Sequence, residues 1–203
     1  MKPLLISGVT GVGTTSIASA IANRRGIQYL IGTDAIREAT RQIIRPEVSP
    51  SLHQSSYLAG KSKNYSSKSE EIKREKIIRG FKNQSSAVKI CIDGIIIRYQ
   101  IEGLRFIIEG INLLPGDYDN LIKRKEIRQI LIDIPQETIH LDRIRLRTSR
   151  NPSRGNQYKE NFKEIRWLRD YLLRRARDNN IVIVENDGKL EDTVMQSLSI
   201  IDE

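Results

Sequence analysis

With one cysteine, one tryptophan and two histidines in 203 residues, the chain is poor in the side chains on which several chemistries depend. A lone Cys91 excludes an internal disulfide framework and suits a reducing compartment. His53 and His140 have no Cys or His neighbours at metal-ligand spacing, which argues against a zinc site. No apolar run approaches the roughly 20 residues needed to cross a bilayer, and no secretory pattern precedes the first apolar segment. The expectation is a soluble cytoplasmic protein with no membrane partner, its oligomeric state left open. A chain of this length builds one α/β domain, 1–203, and needs no second.

A further absence is local. The apolar run Leu4-Leu5-Ile6-Ser7 leads into Gly8-Val9-Thr10-Gly11-Val12-Gly13-Thr14-Thr15-Ser16 and then a helix-like segment ending near Arg25. Gly8, Gly13 and Thr15 fit the phosphate-loop pattern G-x-x-x-x-G-K-[ST], but Thr14 stands in the place of lysine. Glycines let backbone N–H groups turn toward an anion, and the helix N-terminus behind them adds a favourable dipole. Neither needs the lysine, whose point charge acts on the β/γ-phosphates. Gly8, Thr10, Gly11, Val12, Gly13, Thr14, Thr15 and Ser16 are therefore the expected nucleotide-binding residues. The Thr15 hydroxyl is the expected Mg²⁺ ligand, a role compatible with capping the helix.

The remaining chain alternates strand and helix patterns. Short apolar runs at 2–7, 28–31, 105–110, 129–133 and 181–184 read as five strands. Being nearly uniformly apolar, they predict a parallel sheet with helices on both faces. Gly32-Thr33 precedes Asp34, which can cap a helix bearing Ile36, Ile43 and Ile44 on one side. Residues 51–69 hold seven serines and read as an exposed, mobile loop, followed by a long helix from Glu70 to about Gln100. Phe162, Ile165, Leu168, Leu172 and Ala176 give a later helix its apolar face.

In open α/β sheets ligands bind beyond the carboxyl ends of the strands. The phosphate loop, Asp34, Glu109 and Asn186-Asp187 occupy such positions. Asp34 can accept a proton from an acceptor hydroxyl, with Arg37 one helical turn on to grip an anionic group; the alternative is that Asp34 merely caps a helix and Arg37 is solvated. Glu109, after Phe106-Ile107-Ile108, has the place of the acid that holds Mg²⁺ directly or through water. Arg143, Arg147 and Arg150 recur at four- and three-residue spacing, so they project from one side of a helix while Arg145 points elsewhere. Such a cluster, on a lid at 140–157, suits the spread charge of phosphoryl transfer. Residues 140–177 carry twelve Lys/Arg against four acids, a local charge of +8 that points to a phosphorylated metabolite, a nucleotide or RNA as partner.

Four stretches together resemble the archaeal 2-phosphoglycerate kinase family: Gly32 to Glu38, Leu52 to Tyr57, Gly80 to Gln84, and Ile107 to Gly116. The Arg-rich segment, Tyr158 to Arg166 and Ile183 to Asp187 continue the match almost end to end. The resemblance implies a P-loop kinase fold, with ATP or another nucleoside triphosphate as donor and Mg²⁺ as cofactor. It implies an anionic small-molecule acceptor, 2-phosphoglycerate, converted to 2,3-bisphosphoglycerate. It also implies acceptor-side roles for Arg37, His53, Tyr57, Asn112 and Arg166. The chain departs from the family pattern at Thr14 and at Asn112, where histidine is expected. A kinase for another acceptor, such as an RNA hydroxyl, and a non-catalytic nucleotide-binding protein remain the alternatives.

Overall fold

The computed structural model describes residues 2–61, 69–150 and 152–202, with the side chains of 147–150 and 152–155 outside that description. Five strands, β1 (Leu4–Ser7), β2 (Tyr29–Gly32), β3 (Phe106–Glu109), β4 (Arg128–Asp133) and β5 (Val182–Glu185), form one sheet in the order β2-β3-β1-β4-β5. All four pairings are parallel. Among the described residues eight α-helices accompany them: α1 (Thr14–Arg25), α2 (Thr33–Ile43), α3 (Glu70–Ile101), α4 (Asp119–Lys123), α5 (Glu137–Arg150), α6 (Pro152–Glu160), α7 (Phe162–Asp178) and α8 (Leu190–Asp202). The expected doubly covered parallel sheet is therefore present.

Uniformly apolar strands follow from burial on both sides, because successive strand residues point to opposite faces. Leu4 and Ile6 of β1 join one apolar cluster with α1, α7 and α8, while Leu5 joins another with α2 and α3. Ile107 and its neighbours Phe106 and Ile108 divide in the same way. Parallel register sets Glu109 opposite Ile6 on one side and Gly32 on the other. The acid thus lies at the carboxyl edge between the phosphate loop and the start of α2.

Helix α3 begins where the Ser69 hydroxyl accepts from the Ile72 N–H, with Glu70 and Glu71 in the first turn. Its 32 residues span roughly 48 Å at 1.5 Å per residue. Ile77, Phe81, Val88, Ile92 and Ile96 lie buried at helical spacing, with Gly80, Gln84 and Ser85 on the same stripe. Gly80 passes so close to the neighbouring turn that an added Cβ would stand 2.2 Å from the Ala59 carbonyl oxygen.

Several expectations change. Ser51, Leu52, Ser56 and Tyr57 are buried, in short 3-10 turns at Pro50–His53 and Ser56–Leu58, so the start of the serine-rich segment is packed rather than exposed. Its remainder, 62–68, lies outside the described residues. Asp34 caps nothing: α2 opens at Thr33 behind Gly32, with Asp34 inside the first turn. Thr15 does not cap either, because α1 opens at Thr14 with Gly13 as its N-cap. Of the isoleucines assigned to the inner side of α2, Ile36 is buried and Ile43 is 84% exposed.

Two glycines of α3 provide opposite tests of packing. Alanine is the better helix former by about 1 kcal/mol, and nothing lies within 4 Å of a Cβ at Gly94. Gly94→Ala should therefore stabilise by about 0.5–1 kcal/mol. Gly80→Ala should destabilise by about 1–3 kcal/mol, because backbone must move to admit the methyl group. Urea midpoints of the two variants measure the signs, and two stabilised proteins would contradict the close approach.

Candidate active site

One cavity of about 790 Å³ opens at the carboxyl edge of the sheet, a size within the usual range for small-molecule sites. Its floor is the phosphate loop, with Gly8, Thr10, Gly11, Gly13, Thr14, Thr15 and Ser16 on its surface. Val12 is fully buried beneath, its carbonyl accepting from Asn186 Nδ2 at 2.8 Å. Asn186 is itself fixed by the Thr193 hydroxyl and by its own N–H on the Asp133 carbonyl. Gly13 has φ +94°, and a Cβ there would sit 2.7 Å from Asn186 Nδ2. The loop thus needs glycine at 13 both for its left-handed turn and for the side chain that supports it.

Glu109, at the end of β3 and 8% exposed, binds the other side of the loop. Thr14 Oγ1 donates to its Oε2 at 2.6 Å and Thr15 Oγ1 to its Oε1 at 3.0 Å. The residue standing in place of lysine therefore makes a hydrogen bond to the strand-end acid. A hydroxyl and a carboxylate are the hard oxygen donors that suit Mg²⁺. Among the described residues no group of three or more His, Cys, Asp or Glu could hold a metal. A metal at Thr15 and Glu109 would then draw its other ligands from phosphate oxygens and water.

Helix α2 and the two 3-10 turns build the opposite wall. Asp34, Arg37, Glu38, Arg41, His53 and Tyr57 all line the cavity. Asp34 is exposed and makes no hydrogen bond or ion pair among the described residues. Arg37 is tied down, Nη1 donating to the Gln54 carbonyl at 2.9 Å and Nη2 to Glu38 Oε1 at 2.9 Å. His53 Nε2 donates to the Ile44 carbonyl at 2.7 Å, and Tyr57 OH to Gln157 Oε1 at 3.2 Å. Behind this wall stands Gln84 of α3, fully buried. Its Nε2 donates to the Ser51 and Gln54 carbonyls, and its Oε1 accepts from the Ser56 hydroxyl.

Two assignments fail on geometry. Asn112 is 1% exposed and turned away from the cavity, its Nδ2 donating to Ser85 Oγ at 3.1 Å. Arg166 donates to the Ile134 and Pro135 carbonyls at 2.9 and 3.0 Å beyond the end of β4. Neither lines the cavity. Arg143 does, from α5, with Nη2 on the Gly188 carbonyl at 3.2 Å. Burial holds its pKa below the ordinary arginine value, and Asp187 opposes that shift. The side chains of Arg147 and Arg150 lie outside the described residues. Arg145 pairs with Asp142 away from the cavity, as its spacing suggests.

Much of the basic stretch has partners within the fold. Arg169 makes two 2.6 Å bonds to the buried carboxylate of Asp133, Arg175 bonds Asp117 and the Pro115 carbonyl, and Lys163 pairs with Glu70. The local +8 is thus less available to a large polyanion than its sequence density suggests. Sequence reading passed over Glu38, Arg41 and Gln84. For Gln84 a signal existed, since a glutamine on the apolar stripe of a long helix needs buried partners. Glu38 and Arg41 carried no comparable signal, because charges on a helix are usually solvated.

No protein-family model matches the chain. The 2-phosphoglycerate kinase of Methanocaldococcus jannaschii is 38% identical over 203 residues, covering 98% of this chain and 63% of its own length. The Pyrococcus horikoshii 2-phosphoglycerate kinase is 38% identical over 191 residues, covering 94% of this chain and 61% of its own. The chain thus spans a little under two thirds of these relatives. A gluconokinase from Sinorhizobium meliloti superposes with a TM-score of 0.50 at 15% identity, covering 99% of this chain and 91% of its own, a likeness of fold alone. Among the described residues no helix is long and apolar enough to cross a membrane.

His140 joins the base of α5 to the phosphate loop, and its burial should make folding stability depend on pH. Its Nε2 donates to the Thr10 carbonyl at 2.8 Å, while Nδ1 is buried without a partner among the described residues. Burial pushes its pKa below the ordinary 6.5; the Thr10 bond and Asp133 oppose this, and Arg166 and Arg169 reinforce it. The unfolded chain then takes up a proton near pH 6.5 that the folded chain resists. Stability should fall as pH drops below that value, by up to about 1.4 kcal/mol per unit until the folded-state ring titrates. His140→Gln keeps a donor for Thr10 and removes the titration, so its stability should vary less between about pH 6.5 and 5. Denaturant midpoints across that range test this, and parallel curves for the two proteins would refute it.

Proposed function

Because this chain is a relative of archaeal 2-phosphoglycerate kinases along almost its whole length, we propose that it is an ATP-dependent phosphotransferase converting 2-phosphoglycerate to 2,3-bisphosphoglycerate. One observation carries this reading: a single cavity joins the phosphate loop, Glu109, Arg143 and an exposed Asp34 backed by arginines. A donor's phosphates rest on the loop amides and the start of α1, where the helix dipole favours negative charge. Thr15 and Glu109 would hold Mg²⁺, which supplies charge neutralisation between the terminal phosphates when bound.

Asp34 takes the proton of the acceptor hydroxyl as its oxygen bonds to the γ-phosphorus and the bond to the leaving ADP oxygen breaks. Arg143 meets the charge that spreads over the transferred group, a contribution normally left partly to the loop lysine. The α2 wall supports recognition of an anionic acceptor, and the domain acts as one unit over 1–203. The internal partners of Arg166, Arg169 and Arg175 weaken the support for an RNA acceptor.

A transfer assay with Mg-ATP against phosphorylated three- to six-carbon acids and bulk tRNA tests the reading. Transfer to 2-phosphoglycerate is expected; transfer to tRNA alone, or tight nucleotide binding with no transfer, would overturn it. Asp34→Asn should lower kcat by about 10²-fold or more with nucleotide affinity nearly intact, the scale of a lost general base. Arg143→Ala should lose roughly 10²- to 10³-fold in transfer. Thr14→Lys, which sets an ammonium beside Glu109, should change activity within about tenfold if loop amides and Arg143 already supply the charge. A large gain from Thr14→Lys would mean that they do not.

A further inference from the structure

Arg41, in the last turn of α2, lines the same cavity two turns beyond Asp34 and one beyond Arg37. Glu38 stands between the two arginines, with Oε1 accepting from Arg37 Nη2 at 2.9 Å and Oε2 ion-paired with Arg41, 2.8 Å from its Nε. The two arginines are left in different states. Arg37 is 12% exposed, and both its Nη groups already bond protein oxygens. Arg41 is 36% exposed and held through Nε, and its two Nη groups have no hydrogen-bond partner among the described residues.

We propose that Arg41 is the specificity-determining residue for the acceptor, binding a phosphate ester on it, with Glu38 as the positioning residue that aims the guanidinium. This rests on the kinase reading above. With Nε turned to Glu38, the guanidinium presents its Nη1–Nη2 end, a two-donor edge that matches a phosphate bidentately. Helical side chains lean toward the N-terminus, so Arg41 leans toward Asp34 across a separation of about 10 Å along the helix axis. A phosphate ester extends from the carbon skeleton and bridges that gap further than a carboxylate bonded directly to carbon. Arg37 becomes the clamp that fastens α2 to the Gln54 carbonyl, and through it to Gln84.

The test compares 2-phosphoglycerate with glycerate, which has the same skeleton without the phosphate. Acceptor binding is measured by calorimetry with a non-hydrolysable ATP analogue present, and transfer by product formation. Arg41→Ala should raise the Kd and KM for 2-phosphoglycerate by about 10- to 100-fold, the scale of lost charge-assisted bonds. It should collapse the preference over glycerate by the same factor, with the loss on acceptor affinity rather than nucleotide affinity. Arg41→Lys should recover only part of the loss, and Glu38→Gln should show a smaller loss of the same kind. Unchanged 2-phosphoglycerate affinity in Arg41→Ala would overturn the assignment and leave the kinase reading standing. So would a wild-type protein that uses glycerate as well as 2-phosphoglycerate. A wild-type protein that neither binds nor phosphorylates either compound would overturn both.

Discussion

The site depends on how one carboxylate, Glu109, is held. Two hydroxyls from consecutive residues of the phosphate loop donate to its two oxygens, so β3 fixes where the first turn of α1 begins. Hydrogen bonds to a charged group contribute about 1.5–3 kcal/mol each, enough to bias a glycine-rich loop strongly toward one conformation. The arrangement also gives Thr14 a reason to be threonine. A lysine beside Glu109 would cancel the charge of the acid that suits Mg²⁺, whereas a hydroxyl orients that acid and leaves its charge in place. Threonine at the lysine position and an acid at the strand end thus form one arrangement of charge, compatible with phosphoryl transfer when cations arrive from elsewhere.

Those cations come from both sides of the cavity, and the fold decides which are available. An arginine that faces backbone carbonyls or a buried acid outside the cavity is a structural cross-link, whatever its spacing. Arg166 and Arg169 fasten α7 to the end of β4, where Asp133 would otherwise be a buried charge without compensation. Arg175 fastens the other end of α7 to Asp117 and Pro115. Among the described residues that line the cavity, this leaves Arg143 on one wall and Arg41 on the other, with Arg37 beside it as a clamp. On the function proposed above, a cavity charged in this way would take small anions at two defined places rather than a polyanion along a surface.

What was legible in the sequence followed from backbone constraints. Strand runs, the phosphate loop, Asp34 and Glu109 were readable because parallel sheets bury both faces and place ligands at carboxyl ends. The long α3 and the apolar face of α7 followed from helical spacing. Side-chain destinations were less legible, because spacing fixes which side of a helix a residue occupies but not which acceptor waits there. Arg166 met carbonyls of the β4 exit and Asn112 met Ser85, both set by distant parts of the chain. The serine-rich start of 51–69 looked like exposed loop because its composition is polar. Gln84 reverses that, since a buried amide with four polar partners draws the turns inward.

Gln84 also ties the parts of the α2 wall together mechanically. Its amide holds the Gln54 carbonyl, the same oxygen that accepts from Arg37, so α3, the 3-10 turns and α2 converge on one atom. A carbonyl shared by a guanidinium and an amide has both lone pairs engaged, and shifting any one partner loosens the others. This wall therefore moves as a unit or stays as a unit, and its cavity-facing residues inherit their placement from a residue that never reaches the cavity. The phosphate loop is held in the same manner from below, by Asn186 on the Val12 carbonyl and His140 on the Thr10 carbonyl. In both walls buried polar side chains grip backbone oxygens, which leaves loop amides, hydroxyls and carboxylates turned toward the cavity. That division of labour allows short, polar segments to present a defined site without a rigid helix or strand at each contact.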